Sequence, residues 1–177
     1  MLDRAVALDM DGVIVDGMQY HARAWKTVIK QHLDLEVGND YLFLSEGNKG
    51  SDFVAKFSID FDLALTPVQQ EKLCQRKVEY FNQIFRIAAI PYAQEMVAGL
   101  RQMGYTLALV TGTERSFATD VLQNLGILQH FKEIISGDDV VHSKPNPEPY
   151  LTAAKRGKRS VCNTARSRET SVITATW

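Results

Sequence analysis

Two carboxylates two positions apart, Asp9 and Asp11 in Leu8-Asp9-Met10-Asp11-Gly12-Val13, stand where an apolar run ends at Leu8. Alternation along a strand points both side chains the same way if the strand continues. In an open α/β sheet the carboxyl ends of strands are where ligands bind. Two like charges held there repel, so one carboxyl keeps its proton to a higher pH than the other. That division of labour suits one carboxylate to attack and its neighbour to trade protons. Gly12 lets the backbone turn away behind them. Asp-x-Asp-Gly also occurs as an ordinary turn and at the head of a calcium loop. Here the rest of the EF-hand pattern does not follow, and the flanks (Val6-Ala7-Leu8 and Val13-Ile14-Val15) are apolar.

Two more positions have the types to handle phosphate. Thr111-Gly112-Thr113 closes the apolar run Leu107–Val110 with a hydroxyl and a glycine. A Thr hydroxyl and the backbone N–H groups after it can hold phosphate oxygens, although Thr-Gly after a strand is more often a plain turn. Lys144, in Ser143-Lys144-Pro145-Asn146-Pro147, sits in a stiff loop. A lone Lys is usually solvated. Beside two carboxylates and a phosphate it would neutralise charge and keep a nucleophile ionised.

The elements that must position these groups alternate between strand and helix. Apolar periodicity predicts strands over 4–8, 106–110 and 133–136. Helices are expected over 18–32, 52–59, from Thr66-Pro67 to about Phe85, and over 93–103, 115–125 and 147–155. Gly104 and Gly126 serve as stops. The fold class is therefore α/β, a doubly wound parallel sheet. An all-helical block interrupts the alternation. The expected domains are a discontinuous core of 1–17 and 88–154, an inserted helical block of 18–87, and a basic tail of 155–177.

With 177 residues, 45% of them hydrophobic, and a net charge of −1, the chain suits one globular core with an insertion. Nothing in that balance calls for nucleic acid or an anionic membrane as partner, and no stretch is long enough to span a bilayer. Cys74 and Cys162 form no CxxC pair, and Asp3 interrupts a short N-terminal apolar run that makes a poor signal peptide. A cytoplasmic location is the expectation.

Taken in order, Asp9-Met10-Asp11-Gly12, Thr111 and Lys144-Pro145 resemble the first three motifs of the haloacid dehalogenase (HAD) superfamily. The helical block looks like that family's α-helical cap. Tyr20-His21-x-x-Ala24-Trp25, following Asp11-Gly12-Val13-Ile14, is similar to its phosphoglucomutase-like and small-phosphatase branch. The resemblance covers residues 1–154 and implies a phosphatase acting on a small phosphorylated metabolite. In that scheme Asp9 attacks phosphorus and becomes an aspartyl phosphate. Asp11 protonates the leaving oxygen and then activates water. Thr111, Gly112 and Lys144 hold the phosphoryl group, and Mg²⁺ binds Asp9, the backbone carbonyl of Asp11 and an acid from a fourth motif. Two other outcomes follow from the same resemblance: a phosphomutase of β-phosphoglucomutase type, or a catalytically silent chain.

The family's fourth motif, a strand ending in one or two acids, has no counterpart. The matching region reads Ser160-Val161-Cys162-Asn163-Thr164-Ala165-Arg166-Ser167, and Glu169 is the only acid after Glu148. Weak Mg²⁺ binding is the expectation, since a hard cation loses both a ligand and charge. Asp138 and Asp139 are poor substitutes. Without a fourth strand the edge of the first would lie open, and the candidates to fill it are the stretch around Val161 and the β-branched run 171–176. Residues 155–177 carry six Lys or Arg and one acid, so the tail is net +5 against −6 for residues 1–154. That break suggests a truncated or frame-shifted end. In the helical block, His21 and Trp25 lie four apart on one helical face. They are candidates for substrate contact, with packing as the alternative. Lys49, in the glycine-bounded turn Gly47–Gly50, is a candidate for a second phosphate or for sugar hydroxyls, the alternative being an exposed lysine without a role.

Overall fold

The computed structural model describes residues 4–45 and 47–157 and the backbone of 158–161 and 171–175. Its elements run β1 (Arg4–Leu8), α1 (Met18–Leu33), α2 (Asn39–Leu44), α3 (Gly50–Asp60), α4 (Pro67–Ile84), α5 (Ala93–Gln102), β2 (Thr106–Val110), α6 (Arg115–Asn124), β3 (Phe131–Ile135), α7 (Glu148–Val161) and β4 (Ser171–Ala175). The chain divides into two units, one of residues 1–16 and 87–177, the other of residues 17–86.

The first unit is an α/β unit built on a parallel sheet of order β3-β2-β1-β4. Val6, Ala7 and Leu8 of β1 and Leu107 to Val110 of β2 are all buried. Unbroken apolar runs of this kind are what a sheet covered on both faces demands. Ala7, Ala108, Val110 and Ile135 cluster with Ala153 of α7 and with Tyr150. The alternate residues Val6, Leu8, Leu107 and Leu109 point the other way, and α5 and α6 pack against β2 and β3. Strand order reverses direction at β1, so the residue after β1 stands at a topological switch point, the usual place for a ligand in such sheets.

β4 lies beside β1 in parallel register, with Ala175 opposite Leu8. The edge of β1 expected to lie open is therefore paired. The partner is the run beginning at Ser171, not the stretch around Val161, which ends α7 instead. Three of the five residues Ser171–Ala175 are β-branched, which favours the extended chain. Residues 162–170 and 176–177, which include Cys162, Glu169 and most of the region matched to the fourth motif, lie outside the described residues.

The second unit is all helical. Trp25, Val28 and Ile29 of α1, Leu42 of α2, Phe53, Val54 and Phe57 of α3 and Leu73 of α4 form its core. Helix α4 starts as its Thr-Pro pair predicts: Thr66 and Gln69 make a reciprocal capping box, with Pro67 at the first helical position. Helix α2 was not anticipated. Its six residues, Asn-Asp-Tyr-Leu-Phe-Leu, are too few to show a helical period, and only Leu42 is buried. The third strand begins two residues earlier than periodicity suggests, and α7 ends six residues further on.

Candidate active site

The β1 exit is a tight knot of backbone. Ile14 N and Val15 N both donate to the Met10 carbonyl (2.8 and 3.0 Å), and Gly12 N donates to Val15 O (2.8 Å). Gly12 adopts φ 78°, where a Cβ is disfavoured, so the motif's glycine is a conformational requirement. Met10 is fully buried, while Asp9 and Asp11 on either side of it remain partly accessible. The alternation anticipated for the two carboxylates thus persists past the last strand residue.

Asp9 is the best-defined group of the site. Lys144 Nζ lies 2.7 Å from Asp9 Oδ1, with only 12% and 18% of the two side chains exposed. Met10 N donates to the same oxygen (2.8 Å). Among the described residues, Asp9 Oδ2 takes no hydrogen bond. Burial pushes the Asp9 carboxyl above the usual carboxylate range; Lys144 and the Met10 amide pull it back, and Asp11 adds a small push upward. Lys144 Nζ also donates to Val110 O at the end of β2 (2.9 Å) and stands 5.7 Å from the centre of the Tyr150 ring. The loop that carries Lys144 is tied down by Glu148. Its two carboxylate oxygens accept from Val141 N (2.9 Å) and His142 N (3.0 Å), and Asn146 Oδ1 accepts Glu148 N at the head of α7 (2.9 Å).

Thr111 follows β2 and is buried, its N–H donating to Ile135 O (2.9 Å). Its hydroxyl lies 2.5 Å from that of Thr113 and accepts Thr113 N (3.2 Å). The first unit therefore brings Asp9, Asp11, Thr111, Gly112 and Lys144 to the carboxyl ends of β1 and β2. Thr113 was not singled out from sequence. The available signal was a second hydroxyl across the glycine in Thr-Gly-Thr.

His21, Trp25 and Lys49 belong to the helical unit. Trp25 packs on Phe53 (centroids 4.2 Å), and His21 stacks on Phe81 (4.2 Å) with Nδ1 2.7 Å from Lys77 Nζ. Both are buried. Lys49 caps α3 and is half-buried. Asp138 and Asp139 are engaged elsewhere. Asp138 accepts Arg115 N (2.9 Å). Asp139 pairs with Arg115 (2.6 Å) and Arg156 (2.9 Å) and accepts the Ser136 N–H (2.9 Å).

Asp9 and Asp11 offer hard oxygen donors of the kind Mg²⁺ prefers, and such ions commonly use one or two carboxylates with water and phosphate oxygens completing the shell. The donor set fits the cation in type but is sparse. No group of three His, Cys, Asp or Glu occurs among the described residues. β4 contains no carboxylate, and Glu169 precedes its start in sequence whereas Asp9 follows the end of β1. No helix among the described residues is long and apolar enough to cross a membrane.

Comparison with known proteins gives a consistent picture. Residues 4–164 match the family model of haloacid dehalogenase-like hydrolases. Phosphoglycolate phosphatase of Salmonella typhimurium is 25% identical over 173 residues, covering 86% of this chain and 68% of the relative; that of Escherichia coli is 27% identical over 179 residues with the same coverage. A Bacteroides vulgatus structure provisionally assigned as a beta-phosphoglucomutase superposes with a TM-score of 0.78 at 28% identity, over 97% of this chain and 67% of that one. The chain belongs to the haloacid dehalogenase-like hydrolases.

Proposed function

We infer that this enzyme hydrolyses a small phosphomonoester, a sugar phosphate or a phosphorylated hydroxy acid such as phosphoglycolate, through an aspartyl phosphate on Asp9. The observation that carries the reading is the Asp9–Lys144 pair. With Oδ1 engaged by Lys144 and the Met10 amide, Oδ2 is the oxygen to form the bond to phosphorus. As that bond forms, the bond to the leaving oxygen breaks, and Asp11 gives its proton to that oxygen. In the second step Asp11 takes a proton from water, the water oxygen bonds phosphorus, and the Asp9 carboxylate is released with inorganic phosphate. The Thr111 hydroxyl, the Gly112 backbone and Lys144 hold the phosphoryl oxygens through both steps. Positioning and charge stabilisation supply most of the rate in this chemistry. Mg²⁺ would be held by Asp9 and Asp11 and would neutralise charge on the phosphoryl oxygens. With one carboxylate and one backbone carbonyl from the protein in its shell, its affinity is expected to be low.

The helical unit is read as the cap, with His21 and Trp25 packing its core and Lys49 the candidate for a second polar group of the substrate. A β-phosphoglucomutase-like phosphomutase is the alternative, favoured by the likeness to the Bacteroides vulgatus structure. The test is phosphate release from a panel that includes phosphoglycolate and sugar monophosphates, with and without Mg²⁺. Mg²⁺-dependent release without any primer supports hydrolysis. Turnover only with a sugar bisphosphate primer supports the mutase. No turnover of any ester by folded protein would favour the silent chain.

A further inference from the structure

We propose that Gly137, in the turn after β3, is a positioning residue for the Thr111–Thr113 phosphate loop, through direct backbone-to-backbone contact with Gly112. The inference rests on the reading of Thr111 as a phosphate-binding residue. The β2 and β3 exits are laced together at several points. Thr111 N donates to Ile135 O (2.9 Å), Gly137 N donates to Thr113 O (2.9 Å), and the Asp138 carboxylate accepts Arg115 N (2.9 Å). Between these ties the two backbones approach so closely that a Cβ on Gly137 would sit 2.4 Å from Gly112 O and 3.2 Å from Gly112 C. Both atoms are main chain, so no flexible side-chain end can swing aside. Gly137 is buried, and its backbone is not among those with positive φ, so the requirement for glycine there is one of space and not of torsion.

The contact reaches Thr111 through one peptide group. The Gly112 carbonyl and the Thr113 N–H belong to the same plane and move together. That N–H donates to Thr111 Oγ1 (3.2 Å) and so sets how the Thr111 hydroxyl is presented. A methyl group on Gly137 would have to displace the Gly112 carbonyl by about 1 Å to reach ordinary contact. The displacement tilts the Thr113 N–H off Thr111 Oγ1 and turns the hydroxyl away from the phosphate it holds. A misplacement of about 1 Å near reacting groups can cost on the order of a hundredfold.

The experiment measures binding of inorganic phosphate to the full chain by calorimetry, for the natural protein, Gly137→Ala, Thr111→Val and Gly99→Ala. Gly99 has open space at its Cβ position and controls for the mutation type. The expected result is phosphate binding weakened roughly tenfold or more in Gly137→Ala, with cooperative unfolding retained, and unchanged in Gly99→Ala. Weakening in Thr111→Val with natural affinity in Gly137→Ala would overturn the proposal and leave the underlying reading standing. Natural affinity in both Thr111→Val and Gly137→Ala would overturn both. A second measurement needs no variant to fold: amide resonances of the natural protein are followed as phosphate is added. Thr113 and Gly137 should shift together along one saturation curve. A Thr113 shift without any at Gly137 contradicts the coupling.

Discussion

Replacing Lys144 by Met removes the one cation in contact with Asp9 among the described residues while keeping most of the side chain's volume. At 2.7 Å and an effective dielectric of about 20, the attraction lost is about 6 kcal/mol. Desolvation of the two groups offsets much of that, and loss of one partner of such a pair typically costs about 3–5 kcal/mol. The Asp9 carboxyl has an escape, because it can take a proton. Burial already pushes it above the usual range, and in the variant that push is no longer opposed by Lys144. Protonating an ordinary carboxyl at pH 7 costs about 4 kcal/mol, and a raised one costs less, so the deficit is capped at about 2–4 kcal/mol. The sign of its pH dependence follows. A folded-state carboxyl raised above its unfolded value binds more protons in the folded chain, so the variant loses stability as pH rises. Its deficit against the natural protein should therefore shrink between pH 7 and pH 5. Urea unfolding of both proteins at the two pH values measures this, and turnover of the best ester should fall on the order of 10²- to 10³-fold. A deficit below about 0.5 kcal/mol at pH 7, with turnover within about threefold, would refute the reasoning.

Two further perturbations probe the scaffold. Burial raises the Asp139 carboxyl, but the Ser136 hydrogen bonds together with Arg156 and Arg115 outweigh it and bring it down to about 2. The stability it contributes, about 1 kcal/mol after allowance for solvent screening, is present above its unfolded value near 4 and is lost as pH falls toward 2. Asp139→Asn should lower stability at pH 6 by that amount and flatten the decline in the urea midpoint between pH 4 and pH 2; a midpoint profile that matches the natural protein's would count against this network. Thr66→Ala removes the capping box of α4 and should cost about 1 kcal/mol in thermal unfolding, with Thr66→Ser close to the natural protein.

The parallel core was legible because its strands are short unbroken apolar runs ending in recognisable chemistry, and because Thr-Pro and the stop glycines punctuate the helices. Helix α2 was not, since one buried residue in six leaves no period to read. The sequence alone offers two stretches as partner of the β1 edge. Both carry β-branched residues, and only the register of β4 against β1 separates them. Site residues far apart in sequence could be grouped by type and order alone. What the sequence could not carry was their wiring: the Glu148 fork under the Lys144 loop, the Thr111–Thr113 hydroxyl pair, and the backbone contact at Gly137 are contacts across loops and have no local pattern.

The central claim is that Asp9 carries the phosphoryl group, and the most direct measurement is to look for it there. The chain is mixed with a turned-over ester, quenched in acid and digested, and the peptide spanning residues 5–23 is sequenced by mass spectrometry after borohydride reduction. The account predicts a phosphoryl adduct before reduction and a homoserine at position 9 after it, both lost in Asp9→Asn. A phosphoryl group found on any other residue, or turnover that survives Asp9→Asn, would contradict it.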